Sequence, residues 1–255
     1  SLKDLPTELP AGCSLGAICR RTEPGDVLIA KEGLTLMELP QGSRIGTSSL
    51  RRKAQILNCR PDLQIKDLRG NIPTRLQKLE QDDLDAIVLA AAGIERLSLR
   101  ERITEYLSYD VCLPAVGQGA IALEQRTEDH QVRRLIEPLH HEESAVTTLA
   151  ERALLKRLEG GCQIPIAALA RHHNGRLILD ARVASVDGSQ LVKGTRGIDW
   201  PIKPIVKTNL AGVDDNNSFL EWYYQATVEQ IGRELAEELL DRGARTILET
   251  IRACS

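Results

Sequence analysis

Ala86-Ile87-Val88-Leu89-Ala90 runs directly into Ala91-Ala92-Gly93-Ile94-Glu95-Arg96. The unbroken apolar run suits a strand buried on both faces of a parallel sheet. Upstream, Arg44-Ile45-Gly46-Thr47 and Leu63 to Leu68 read as further strands. Residues 15–130 alternate short apolar runs with helical patterns, as βαβ units do. This part of the chain is therefore expected to be doubly wound α/β.

Beyond it the texture changes. Ala145 to Leu158 places Val146, Leu149, Ala150, Ala153 and Leu154 on one face at helical spacing. Ile164 to Ala170, Leu177 to Ser185 and Gln190 to Arg196 read as a strand meander, with turns at Asn174-Gly175 and Asp187-Gly188. A final helix is expected with Ile231, Leu235, Leu239 and Leu240 inward and Gly243 as its cap. The stretch from Trp200 to Thr227 fits neither pattern and reads as a long surface insertion with its own hydrophobic contacts.

The 255 residues suffice for two or three domains. A net charge of -3 gives no global signal for nucleic acid or an anionic surface. No apolar run approaches the roughly 18 residues that span a bilayer. Six dispersed cysteines, without a Cys-x-x-Cys pair, suggest free thiols in a reducing compartment. The neighbouring pairs His140-His141 and His172-His173 point in different directions on any regular element, so no metal site is expected. The chain opens without Met at Ser1-Leu2-Lys3-Asp4-Leu5-Pro6, in the manner of a domain interior, and a preceding segment is expected.

Three strand ends carry arginines in the same place. Gly46-Thr47-Ser48-Ser49-Leu50-Arg51-Arg52 opens a helix that Ser48 or Ser49 can cap. Arginines in a first helical turn oppose the macrodipole unless an anion sits there. Arg69-Gly70-Asn71-Ile72-Pro73-Thr74-Arg75 repeats the arrangement, with Pro73 suited to the first helical position. Ala92-Gly93-Ile94-Glu95-Arg96 repeats it again. Loops at the carboxyl ends of parallel strands are where open α/β sheets bind ligands. Arg51, Arg52, Arg69, Arg75 and Arg96 thus form a candidate cleft whose planar forks match carboxylates. Any one of them alone reads first as a solvated surface charge; it is the three repeats of the same placement that argue against that reading for the set. Leu158-Glu159-Gly160-Gly161-Cys162 presents a thiol behind two glycines at a helix end; a functional thiol and a plain loop cysteine both fit it.

These segments together resemble the porphobilinogen deaminase (hydroxymethylbilane synthase) family. The motifs that carry the resemblance are Ser1 to Pro6, Gly46 to Arg52, Leu68 to Asn71 with Thr74-Arg75-Leu76, Ala92 to Leu97, Leu113 to Ala120, and Leu158 to Cys162. The resemblance implies two periplasmic-binding-protein-like α/β domains and a small C-terminal α+β domain. Residues 1–20 and 118–140 would form a first domain incomplete at its N-terminus, 21–117 the second, and 141–255 the third. It further implies a dipyrromethane cofactor held as a thioether at Cys162 and a catalytic Asp4 with Lys3 beside it. Cofactor and substrate carboxylates would fall to Ser49, Arg51, Arg52, Arg69, Arg75 and Arg96, with Thr47, Ser48 and Ser1 as further contacts. Gln118 and Gly119 would lie where the chain crosses back into the first domain. The implied activity condenses four porphobilinogen molecules on that primer, loses ammonia, and releases 1-hydroxymethylbilane. The implied setting is a cytoplasmic monomer without metal, nucleic acid or membrane partner. A non-catalytic anion-binding α/β module and a truncated inactive form of the enzyme are the alternatives.

Overall fold

The computed structural model describes residues 1–158, 164–200 and 216–253, with side chains from 225 onward in the last stretch. A first strand, β1 (Cys13–Ile18), precedes a five-stranded sheet of β2 (Asp26–Ala30), β3 (Arg44–Gly46), β4 (Gln64–Lys66), β5 (Ala86–Ala90) and β6 (Glu105–Tyr106). Helices α1 (Leu50–Cys59), α2 (Ile72–Gln81) and α3 (Ala91–Arg96) follow β3, β4 and β5 in turn. The chain returns through β7 (Ala122–Arg126), which pairs antiparallel with β1. It then runs through α4 (His130–Ile136) into α5 (Glu142–Arg157). An antiparallel meander of β8 (Ile166–His173), β9 (Arg176–Ala184) and β10 (Leu191–Asp199) follows. Helices α6 (Asn216–Leu239) and α7 (Arg245–Ala253) pack with it. The fold is mixed α/β, with strands and helices where the periodicity placed most of them.

The large sheet runs β4-β3-β5-β2-β6 and is mixed, not wholly parallel. Strand β5 pairs parallel with β3 but antiparallel with β2. Strand β2 is entered from β1 of the other sheet, and its link to β3 holds only the short 3₁₀ turn Lys31–Gly33 rather than a helical crossover, so no rule forces β2 into the parallel direction. The apolar run still needs both faces covered. Leu28, Ala30, Ala86 and Val88 fill one core, while Val27, Ile29, Ile87 and Leu89 fill the other. That split is the strand period of two. Each large aliphatic chain so buried contributes about 1.5–3 kcal/mol.

The pairing direction decides what meets at the sheet edge. Because β3, β4 and β5 are mutually parallel, the N-termini of α1, α2 and α3 gather at one edge. Because β2 is antiparallel to them, its first residue, Asp26, pairs with Ala90 and lies at that same edge.

Helix α5 departs from the expected single apolar face. Its buried residues include Ser144, Thr147, Thr148 and Glu151 as well as Ala150 and Leu154, while Val146 and Leu149 are only partly buried. The helix packs on the meander, on α6 and near the chain crossings at once, so polar as well as apolar positions are covered. Helix α6 begins at Asn216, inside the stretch read as an insertion, and Trp200 closes β10 with its ring 4.8 Å from that of His172. Residues 201–215 of that stretch lie outside the described residues. Gly243 does take a left-handed φ of 108°. It forms a wide turn, Leu240–Ala244, and the chain continues into α7 rather than ending there.

Candidate active site

The turn Thr47-Ser48-Ser49 is tied down on both sides. Ser49 caps α1 by accepting from the Arg52 backbone N–H at 3.4 Å. Ser48 Oγ donates to Leu68 O at 2.6 Å and accepts from Leu68 N at 3.2 Å, joining the ends of β3 and β4. Thr47 is buried, and its hydroxyl accepts from Ser49 N. Helix α2 is capped by Asn71, which accepts from Thr74 N, so Pro73 sits one position later than expected.

Arg51 and Arg52 do not stand open at the head of α1. Both turn inward to Asp26, which has no solvent exposure. Arg51 Nη1 donates to Asp26 Oδ2 at 2.7 Å, and Arg52 Nη2 and Nε donate to Oδ1 at 2.7 and 3.1 Å. Gln118 Nε2 adds a further bond to Oδ1 at 2.8 Å. Burial alone would raise the Asp26 carboxyl, but the two guanidiniums override it and hold it well below the usual carboxylate range. The anion that the macrodipole argument called for at this helix end is thus supplied by the protein itself.

Two adjoining cavities open at this edge, and Lys3, Arg52 and Gln118 line both. The first, about 240 Å³, also takes in Ser1, Arg75, Arg96 and Gly119. Among the described residues four cations line it and no acidic side chain does. Lys3, Arg75 and Arg96 form no salt bridge among the described residues. Burial, with the like charge of Arg52 behind it, pushes the Lys3 ammonium below the usual lysine value. Burial and Arg52 lower Arg75 likewise. A cluster of cations that discourage one another's charge favours an anion among them.

The second cavity, about 510 Å³, is lined by Asp4, Ser49 and Arg51, and also by Leu155, Ile164 and Ile166. Asp4 is its single acidic residue among the described residues. It sits in the 3₁₀ turn Leu2–Asp4, which the buried Leu2 anchors through its N–H to Ala120 O at 3.0 Å.

The expected residues therefore divide. Ser1, Lys3, Asp4, Ser49, Arg51, Arg52, Arg75, Arg96, Gln118 and Gly119 come together around the two cavities. Thr47 and Ser48 lie just behind, their hydroxyls engaged by backbone. Arg69 stands apart, its side chain 84% exposed and paired with Asp67 at 3.1 Å. Cys162, with Gly160 and Gly161, lies outside the described residues. Gly119 has φ +84°, and a Cβ there would come within 2.8 Å of Thr22 O, where the two crossings between the small and large sheets run side by side.

Sequence reasoning missed two carboxylates. Asp26 was visible as a lone charge at the head of the apolar run Val27 to Ala30. Glu151, fully buried on α5, accepts from Arg21, from Gly117 N at 2.7 Å and from Ala170 N at 2.8 Å. Its only signal was an acid among covered helix positions.

The chain matches two family profiles in sequence. Residues 1–134 match "Porphobilinogen deaminase, dipyromethane cofactor binding domain", and residues 145–205 match "Porphobilinogen deaminase, C-terminal domain". A porphobilinogen deaminase of Carboxydothermus hydrogenoformans is 50% identical over 99% of this chain and 73% of its own length. One from Desulforamulus reducens is 46% identical over 99% of this chain and 74% of its own. One from Moorella thermoacetica is 47% identical over the whole chain and 74% of its own length. With cation-lined cavities at the sheet edge and relatives of this closeness along its length, the chain belongs to the porphobilinogen deaminase family.

Proposed function

We propose that the chain is a transferase that condenses four porphobilinogen molecules head to tail, with loss of ammonia, and releases 1-hydroxymethylbilane. The observation that carries this is the pair of adjoining cavities, one lined among the described residues by four cations without an acid, the other by Asp4. Porphobilinogen bears acetate and propionate arms, so its oligomers are polyanions that Lys3, Arg52, Arg75 and Arg96 suit. An anion-binding module would need the cations alone and gives Asp4 no task.

The residues present fit a dipyrromethane. Gln118 Oε1 is buried without a partner among the described residues, an acceptor of the kind a pyrrole N–H satisfies. Lys3, Arg75 and Arg96 suit its carboxylates, and Cys162 would hold it as a thioether. When bound, the group supplies the nucleophilic pyrrole carbon that substrate extends. Within this chain, Asp4 stabilises the positive charge that develops on the substrate's pyrrole nitrogen as ammonia departs. The same side chain is assigned proton delivery to the leaving amine. Lys3, beside it, holds a substrate carboxylate.

Residues 1–20 with 118–140, 21–117 and 141–255 are assigned as three domains, the first two periplasmic-binding-like around the cleft. Support comes from the separate small sheet of β1 and β7 and from the paired crossings at Thr22 and Gly119. Among the described residues no helix is long and apolar enough to cross a membrane.

Asp4→Asn tests the assignment. It is expected to lower kcat by about 10²–10⁴-fold while leaving the unfolding midpoint in place. Undiminished turnover would remove Asp4 from the mechanism.

A further inference from the structure

Arg152 has no carboxylate partner among the described residues, although it lies on α5 between Glu151 and the helix end. Its guanidinium donates to three consecutive backbone carbonyls: Leu5 O at 3.4 Å, Pro6 O at 2.6 Å and Thr7 O at 3.2 Å. Those carbonyls belong to the segment that leaves Asp4. Pro6 has no N–H to offer, and no other donor reaches these three oxygens among the described residues. The segment's other end is fixed by Leu2, packed against the turn at Gly117, whose Cβ would lie 3.0 Å from it. Asp4 thus rides on a short span held at Leu2 in front and at Arg152 behind.

Arg152 lines a separate cavity with Thr7, Lys156 and Arg233, and does not line the one that holds Asp4. Leu155, one turn further along the same helix, does line it. The guanidinium therefore acts as a strut that joins the Asp4 segment to the helix whose Leu155 lines the same cavity. A planar fork spans several carbonyls at once, which a flexible ammonium does not. Burial lowers the Arg152 pKa, as expected where no counter-ion offsets desolvation.

We propose that Arg152 is a positioning residue for catalysis, setting Asp4 against the cations of the cleft through the carbonyls of Leu5, Pro6 and Thr7. The inference rests on the role assigned to Asp4. If misplacement of Asp4 is how its loss acts, removal of Arg152 lowers kcat and spares substrate binding.

The test is a double-mutant cycle on the holoenzyme, combining Arg152→Met with Asp4→Asn, and Arg152→Lys as the conservative variant. Arg152→Met is expected to lower kcat at least about tenfold, a near-attack misplacement effect, with KM little changed and Arg152→Lys in between. In the Asp4→Asn background the same substitution should cost no further kcat, because its effect runs through Asp4. Amide exchange at Asp4, Leu5 and Thr7 should speed up while the amides of α5 hold. Equal fractional losses in both backgrounds would overturn the inference, as would wild-type kcat in Arg152→Met. If Arg152→Met fails to fold, wild-type kcat and exchange in Arg152→Lys would overturn it equally. Full turnover in Asp4→Asn alone would instead bring down the role of Asp4, a separately visible result.

Discussion

Replacing Asp26 with Asn removes a charge and keeps a shape. The carboxylate receives both Arg51 and Arg52 at 2.7 Å with no exposure to water. In Asp26→Asn the two guanidiniums stay buried without their counter-charge. Breaking one side of a buried ion pair costs about 3–5 kcal/mol. Set against a total stability of about 5–15 kcal/mol, that is a large fraction. At about 2–4 °C per kcal/mol for chains of this size, the midpoint should fall by about 6–20 °C. Thermal and urea unfolding, followed by circular dichroism, measure it. The pH dependence carries a second signature. A carboxyl held below its ordinary value stabilises the fold above the unfolded pKa, near 3.9, and loses that contribution as pH falls through the folded value. The gap between the two proteins should therefore be full above about pH 5 and narrow progressively below about pH 4. An Asp26→Asn variant within about 1 kcal/mol of wild type at pH 7 would refute the reasoning. So would a gap that widens in acid.

Two further expectations concern neighbouring residues. Arg75→Met removes a cation of the acid-free cavity, and losing one charge-assisted contact of about 1.5–3 kcal/mol should raise KM for porphobilinogen about 10–100-fold. Steady-state kinetics check this, and an unchanged KM would exclude Arg75 from substrate binding. Gly119→Ala meets both a positive φ and the Thr22 carbonyl, whereas Gly12→Ala meets a positive φ of 83° and nothing within 4 Å. Gly12→Ala should therefore cost about 1–2 kcal/mol, and Gly119→Ala measurably more by urea unfolding; equal losses would discount the close approach of the two crossings.

The strands of the large sheet and the meander were legible because burial on two faces and tight turns leave strong local patterns. Ala86 to Ala90 and the Asn174-Gly175 turn, with Asn174 at φ 49° and Gly175 at φ 71°, are instances. Strand direction was not legible, since an apolar run reads alike in parallel and antiparallel pairing. That one ambiguity hid Asp26, whose place beside α1 follows from β2 running backwards. Arginines at strand ends suggested an anion site, and Arg52, Arg75 and Arg96 line one cavity. Their sequence context could not tell which of them the protein neutralises itself. Arg51 and Arg52 meet Asp26, while Arg69 meets Asp67 in solvent. Helix α5 misled because its surroundings cover polar positions, and Glu151 and Arg152 act on backbone groups distant in sequence.

On the function proposed, Cys162 anchors a pyrrole primer whose acidic arms lie among Lys3, Arg52, Arg75 and Arg96. Intact-mass spectrometry of the protein supplied with porphobilinogen, beside its Cys162→Ala variant, addresses it most directly. The expected result is an added mass of two pyrrole units that peptide mapping places on Cys162 and that the variant lacks. A bare thiol, or the same adduct on the variant, would contradict it.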